Sequence, residues 1–117
     1  MKAMAVAISI MIATLGQSFA QTIESGNDIK ESCQFVVEGP KTNLEGAKAL
    51  YCMGFVRPFL FIGRRLEERD SFCIPEGVHV SQATGIFLKY LSDNPEKTQL
   101  PPEDLAIQAF RKAWPCP

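Results

Sequence analysis

The residues of this sequence best suited to covalent chemistry are four cysteines, Cys33, Cys52, Cys73 and Cys116. Successive cysteines stand 19, 21 and 43 residues apart, so there is no Cys-x-x-Cys pair for redox exchange or for a zinc knuckle. An even number of cysteines is typical of disulfide bonds in an exported chain, and the first 20 residues of this one resemble an export signal. We therefore expect two disulfides and no metal site.

Four cysteines allow three pairings. The favoured one joins Cys33 to Cys52, between the first two predicted helices, and Cys73 to Cys116, which closes the last two as an antiparallel hairpin. Cys33 lies about five residues before the turn between these helices and Cys52 about ten residues after it. At roughly 1.5 Å of rise per residue, the two cysteines differ in position along the helix axes by about 7 Å. That bond therefore needs a skewed crossing or a shifted helix start, and the other pairings stay open.

Catalytic arrangements are hard to build from the remaining residues. His79 is the one histidine, and a Cys-His hydrolase would need a free thiol beside it. A paired-carboxylate glycosidase could draw on acids between Glu67 and Glu76, but these are interspersed with arginines and fit a solvated, mixed-charge segment better. We predict no catalytic residue and no cofactor, and the chain is interpreted as a binding protein rather than an enzyme.

The first 20 residues have the pattern of a secretory signal peptide. Lys2 supplies the positive start, Ala3 to Leu15 is mostly apolar, and Ser18 and Ala20 are small residues placed for a signal peptidase. An apolar run of about 13 residues is short for a membrane span, which needs roughly 20. We expect cleavage after Ala20, export to the periplasm, one mature domain over residues 21–117 and no stable membrane insertion.

The mature segment would carry 11 basic against 13 acidic residues, since only Lys2 is lost with the signal. Nucleic-acid binding requires basic residues massed on one face, so no nucleic-acid partner is expected. A core of fewer than about 100 residues is marginally stable alone, which makes the disulfides important for the fold.

The spacing of apolar residues predicts an all-α protein, a small disulfide-stapled bundle of about four helices. Helices are predicted over about Asn27–Val37 and Thr42–Glu67, over Val80–Asp93, and from Pro101 to near the end of the chain. The second is expected to open with a capping box formed by Thr42 and Glu45. Pro58 should kink or interrupt the second helix. Residues 69–79 carry a proline, a glycine and a cysteine, and are predicted to form an ordered connector.

Each helix is expected to bury one face, and the long second helix is expected to be central. The predicted inward residues are Ile29, Cys33, Val36 and Val37, then Leu44, Ala47, Tyr51, Gly54, Pro58, Ile62 and Leu66 widened by Leu50, Phe55, Phe59 and Phe61, then Ala83, Ile86, Phe87, Tyr90 and Leu91, and finally Leu105, Ala109, Phe110 and Ala113. The phenylalanines of the second helix also suggest an alternative function, a saposin-like lipid binder.

Several strings of this sequence resemble one protein family. They are Asn27 to Cys33, Tyr51-Cys52-Met53-Gly54-Phe55, Phe72-Cys73-Ile74-Pro75-Glu76-Gly77-Val78, Gln82, Phe87 to Leu91, Asn94-Pro95-Glu96 and Ala109 to Cys116. Together they resemble the Rap/Tai family of type VI secretion amidase immunity proteins over most of the mature chain. The motif residues expected to have structural roles are Gly54, Pro75, Gly77, Gln82, Tyr90, Pro95 and Pro115.

The resemblance implies a periplasmic, all-helical protein that binds an injected peptidoglycan amidase and blocks its active-site cleft. It also implies homodimers. One departure is His79, which stands where the family commonly has a helix-capping residue ahead of Gln82, so we expect the capping box of that helix to be lost. The alternative within the same compartment is a helical binding module with another partner, a chaperone or an envelope-assembly factor.

A cleft is best blocked by a rigid protruding loop, and the segment from Arg64 to His79 is charged, anchored by Cys73 and stiffened by Pro75. The predicted partner-binding residues are Arg65, Glu68, Arg69, Asp70, Glu76 and His79.

Overall fold

Five α-helices follow one another along the chain in the computed structural model, which describes residues 23–117. They are α1 (Gly26–Glu38), α2 (Asn43–Val56), α3 (Phe59–Ile62), α4 (Val80–Asp93) and α5 (Pro102–Ala113), with 3-10 turns at Gly63–Arg65 and Pro95–Lys97. No strand occurs among these residues, so the predicted all-α class is confirmed. The predicted signal peptide, residues 1–20, lies outside the described residues.

The first backbone amides of helix α1 donate hydrogen bonds to the connection between α4 and α5. The amide of Gly26 donates to the carbonyl of Leu100 and the amide of Asn27 to that of Thr98, both at 3.0 Å. A Cβ on Gly26 would stand 2.5 Å from the Leu105 side chain, which explains why a glycine starts this helix. The start of α1 is therefore fixed to the connection between α4 and α5.

Helix α2 begins with the capping box predicted from Thr42 and Glu45. The amide of Glu45 donates to the Thr42 hydroxyl at 3.1 Å, and the amide of Thr42 donates to the Glu45 carboxylate at 3.0 Å. The helix ends at Val56 because Pro58 has no amide hydrogen with which to continue the ladder. The predicted interruption at Pro58 is confirmed, and the one-turn α3 follows it.

The core lies between α1, α4 and α5, with one face of α2 closing it. The rings of Phe59, Phe72 and Trp114 pack against the Phe110 ring, and the Phe72 and Phe110 centroids are 5.5 Å apart. Helices α1 and α4 each pack against three other helices, whereas α2 packs only against α1 and α4 among the closely contacting pairs. The prediction that α2 is the central helix is therefore wrong.

The predicted inner face of α2 is also wrong. Ala49, Cys52 and Val56 are the buried residues of this helix. Of the predicted stripe only Leu66 is even half-buried, and the exposed members are Leu44, Ala47, Tyr51, Gly54, Pro58 and Ile62. Apolar residues occur on nearly every side of this helix, so their spacing does not show which face is buried. The disulfide from Cys52 to α1 turns the face that contains Cys52 toward the core.

Three smaller errors concern single residues near helix ends. Val37 and Ala113, predicted inward, are exposed in the last turns of α1 and α5. The capping box expected to be lost at α4 is kept in half, because the amide of His79 donates to the Gln82 side-chain oxygen at 2.9 Å. That hydrogen bond uses only the backbone of residue 79 and does not depend on its side chain.

Candidate partner-binding surface

Residues 64–79, which we call the contact segment, connect α3 to α4 without regular helix beyond Arg65. Their first part closes on itself, since the amides of Asp70 and Ser71 both donate to the carbonyl of Glu67, at 2.8 and 2.9 Å. The Ser71 hydroxyl adds a bond to the carbonyl of Glu68 at 3.1 Å. The local turn is therefore held by its own backbone, independently of the charged side chains.

The middle of the contact segment is fastened to the helical bundle. Phe72 is fully buried, and its amide donates to the carbonyl of Gly63 at 3.2 Å. The next amide, that of Cys73, donates to the carbonyl of Trp114 at 2.8 Å. The exposed stretches before and after residues 72 and 73 are therefore both held in place by this anchor.

Two disulfides join the four cysteines, in the pairing that was favoured from the sequence. Cys33 and Cys52 tie α1 to α2 with their α-carbons 5.0 Å apart. Cys73 and Cys116 tie the contact segment to the residues after α5, with an α-carbon distance of 4.9 Å. Both distances fall in the ordinary range for disulfide bonds, so the out-of-step positions of Cys33 and Cys52 are accommodated by the packing of α1 on α2.

The predicted partner-binding residues fall into two groups on either side of the anchor. Glu68, Arg69 and Asp70 share the turn closed by Glu67, with Arg65 just before it, whereas Glu76 and His79 follow Cys73. All six are exposed except Asp70, which is half-buried. Among the described residues no hydrogen bond or ion pair links one group to the other. The contact segment thus offers two neighbouring charged patches rather than one cluster.

Arg69 and Asp70 are the members of these six that take part in ion pairs among the described residues. The Arg69 Nε lies 3.4 Å from a Glu67 carboxylate oxygen and 3.5 Å from one of Asp70. The Arg69 side chain is 81% exposed, so such pairs are worth at most about 1 kcal/mol. Arg69 can therefore leave these carboxylates for a partner at little cost.

The motif residues before α4 shape the second half of the segment. Gly77 has φ 83°, a conformation that side-chain-bearing residues rarely adopt, so the turn after Pro75 requires glycine. Pro75 is exposed, and Gln82 holds the start of α4 through His79.

The other motif residues lie away from the contact segment. Tyr90 is buried and its hydroxyl donates to the Gln108 side chain at 2.7 Å, joining α4 to α5. Pro95 opens a 3-10 turn, and Pro115 is exposed between Trp114 and Cys116. Gly54 is exposed, and a Cβ there would meet nothing within 4 Å. No contact within the described residues explains a glycine at position 54.

A second surface, missed from the sequence, lies on the outside of α2. We call it the outer face of α2, formed by Leu44, Ala47, Leu50, Tyr51 and Gly54. Leu44 and Leu50 are 67% and 69% exposed, and no charged residue occurs between Lys48 and Arg57. Exposed apolar side chains continue past Pro58 to Phe61. The signal that could have found it is Cys52, whose predicted bond to α1 already assigns the opposite face to the core.

An open groove of roughly 840 Å³ borders both the outer face of α2 and the end of the contact segment. It lies between the end of α1, α2 and the start of α4, and its lining includes Phe35, Val36, Pro40, Leu50, Met53 and Val80. His79, the last residue of the contact segment, stands at its edge. The apolar and charged surfaces therefore adjoin one another.

The lipid-binding alternative depended on the phenylalanines of the second predicted helix. Phe59 is buried, Phe55 is half-buried against Phe87, and only Phe61 is freely exposed. Among residues 23–117 no helix is both long enough and apolar enough to cross a bilayer.

Comparison with known proteins finds a family model that covers most of the chain. The model of a family described as Rap1a immunity proteins matches residues 25–116, a stretch that includes all four cysteines, the contact segment and the outer face of α2. No curated protein and no solved structure matches the chain.

Proposed function

This chain belongs to the Rap1a immunity protein family, and on that basis we propose that it binds and inhibits a peptidoglycan amidase delivered by a type VI secretion system. It acts as a binding protein, without catalysis of its own, and protects the cell that makes it. The observation that carries the proposal is the family match across nearly all of the described chain, contact segment included.

Inhibition is proposed to occur by insertion of the contact segment into the amidase cleft. The segment is exposed on both sides of a buried anchor at Phe72, and the disulfide of Cys73 fixes its position. A loop that is already ordered loses little conformational entropy on binding, which favours tight association. Its mixed charges supply orientation and partner specificity more than raw affinity. Arg65, Glu68, Arg69, Asp70, Glu76 and His79 are the proposed contacts.

The proposed place of action is the periplasm, where a peptidoglycan amidase meets its substrate. Two disulfides and no free cysteine occur among the described residues, which supports an oxidising compartment. Export would depend on the signal peptide predicted for residues 1–20, leaving residues 21–117 as the mature protein.

We propose that the outer face of α2 pairs with the same face of a second copy. Homodimer interfaces are more apolar and less charged than ordinary surface. This face exposes Leu44 and Leu50, and α2 carries no charged residue from Ala49 to Val56. A two-fold pair would place both faces against each other, as is usual for homodimers. The contact segments of both copies would then stay free for amidase.

The test is co-purification of residues 21–117 with a peptidoglycan amidase effector encoded in the same gene cluster. The proposal predicts a stable complex with one amidase per copy of this chain. Absence of a complex with a folded, active amidase would overturn the immunity role for that pair. Capture of an envelope-assembly factor or binding to lipid vesicles in its place would instead support the alternative functions.

A further inference from the structure

The two disulfides lie in very different surroundings. Cys33 and Cys52 are fully buried and belong to the continuous hydrophobic core. Cys73 and Cys116 are only half-buried and do not belong to that core. Reduction of a disulfide requires access of a thiolate to one sulfur, so the Cys73–Cys116 bond is open to attack in the folded protein and the Cys33–Cys52 bond is not.

The exposed bond has a distinct position in the fold. It joins the middle of the contact segment to residues beyond the end of α5, where the chain is no longer helical. Among the described residues, the one backbone hydrogen bond given by Cys73 goes to the carbonyl of Trp114, and its neighbours Phe72 and Ile74 pack against the core. The Cys33–Cys52 bond, by contrast, joins α1 to α2 within the bundle. Loss of the exposed bond therefore loosens the part of the segment that follows Phe72, together with the chain end, while α1 and α2 stay joined.

We propose that Cys73–Cys116 is a thiol–disulfide exchange site for a dithiol reductant, and that its reduction releases residues 73–79, which follow the Phe72 anchor, from the chain end beyond α5. The inference rests on the proposed function only in assigning the contact segment to amidase binding. The exchange site itself follows from the partial exposure of Cys73 and Cys116. The oxidised protein is the inhibitor, and the reduced protein is folded but inactive.

The chemistry balances with a dithiol as the single co-reactant. One reductant thiolate attacks a sulfur of the Cys73–Cys116 bond, forming a mixed disulfide and displacing the other cysteine as a thiolate. The second thiol of the reductant then attacks the reductant's sulfur in the mixed disulfide and displaces the remaining protein cysteine as a thiolate. Two electrons and two protons pass to the protein, and the reductant leaves as an oxidised disulfide.

The first test needs no amidase. Folded residues 21–117 are treated with dithiothreitol for increasing times, free thiols are alkylated, and labelled peptides are quantified by mass spectrometry. Cys73 and Cys116 should be labelled on the order of tenfold faster than Cys33 and Cys52, because the buried pair must wait for an opening of the core. Equal labelling rates for the four cysteines would overturn the exchange site.

The second test concerns the release of residues 73–79. The Cys73→Ser/Cys116→Ser variant should keep the circular dichroism spectrum of the helices and lose inhibition of the amidase. Wild-type protein that is selectively reduced and alkylated at the same two cysteines serves as an independent form of the same state. Full inhibition by either folded form would overturn the release.

Failure of the proposed function gives a different result. If the oxidised wild-type chain does not bind amidase at all, the immunity role fails while the labelling order remains a valid measure of the exchange site. The matched control is Cys33→Ser/Cys52→Ser, which removes the buried bond and should lower the melting temperature while leaving the contact segment attached through Cys73.

Discussion

The amide of Phe72 donates a hydrogen bond to the carbonyl oxygen of Gly63 at 3.2 Å, and the Phe72 ring occupies the space that a side chain at position 63 would need. A Cβ on Gly63 would overlap that ring and stand 2.7 Å from the Phe72 carbonyl oxygen. This contact brings the contact segment back onto α3 directly after its exposed turn. The anchor of the proposed inhibitory loop therefore depends on a glycine outside the loop.

Gly63→Ala is predicted to destabilise the protein by about 1 to 3 kcal/mol, because the new methyl group displaces a fully buried ring. Urea unfolding followed by circular dichroism measures the change. The matched control is Gly85→Ala, within α4, where a Cβ would meet nothing within 4 Å. That variant should gain about 0.5 to 1 kcal/mol from helix propensity. Equal effects of the two substitutions would contradict the Gly63 contact.

Leu50→Glu is predicted to convert the proposed dimer to a monomer while leaving the fold intact. Leu50 is 69% exposed, so the substitution removes no core contact, but it places a charge in the centre of the outer face of α2. Sedimentation velocity measures the mass and circular dichroism the helix content. Gln99→Glu, which adds the same charge at another exposed position, should remain dimeric. A wild-type chain that sediments as a monomer at high concentration would rule out the dimer.

Asp28→Asn is predicted to lower stability at neutral pH but not in acid. The Ser25 hydroxyl donates to the Asp28 carboxylate at 3.0 Å and the amides of Glu24 and Ser25 also donate to it, which lowers the pKa of Asp28 below its ordinary value of 3.8.

Because the folded-state pKa is the lower one, the carboxylate's contribution is complete above the unfolded-state pKa and is lost as the pH falls through the folded-state value. The urea midpoints of wild type and Asp28→Asn should therefore differ at pH 7 and converge below about pH 4. A difference that stays constant down to pH 2 would show that the variant acts through something other than this charge.

Tyr90→Phe is predicted to cost about 0.5 to 1.5 kcal/mol, because it removes the buried hydrogen bond from the Tyr90 hydroxyl to Gln108. Thermal or urea unfolding measures the loss. Tyr51→Phe is the control, since Tyr51 is 53% exposed and water replaces whatever its hydroxyl binds. Equal stability of the Tyr90 and Tyr51 variants would mean that this link between α4 and α5 contributes nothing.

Much of the fold was predictable because local signals and the core agreed. The Thr42 and Glu45 capping box, the interruption at Pro58 and the extent of α4 are read from short stretches of sequence, and the structure places them as predicted. The ordered connector before α4 was predicted from Pro75 and Gly77, and Gly77 has the positive φ that a turn of this kind requires.

The orientation of α2 was not predictable from periodicity, because apolar residues surround most of that helix. Leu44, Ala47 and Tyr51 form as regular a stripe as Ala49, Cys52 and Val56, and only the tertiary partner of Cys52 decides between them. The partner-binding residues stay a prediction for a related reason. Exposure at Glu68 or Glu76 is shared with most charged residues of the chain, so it does not by itself identify a contact.

Inhibition of peptidoglycan cleavage tests the central claim most directly. An amidase effector from the same gene cluster is titrated with residues 21–117, either wild type or carrying Arg65→Glu and Glu68→Arg on the exposed turn. We expect complete inhibition by one equivalent of wild type, and at least about tenfold weaker inhibition by the charge-reversed variant, which corresponds to about 1.4 kcal/mol of binding free energy. Undiminished cleavage in the presence of excess folded wild-type protein would contradict the account.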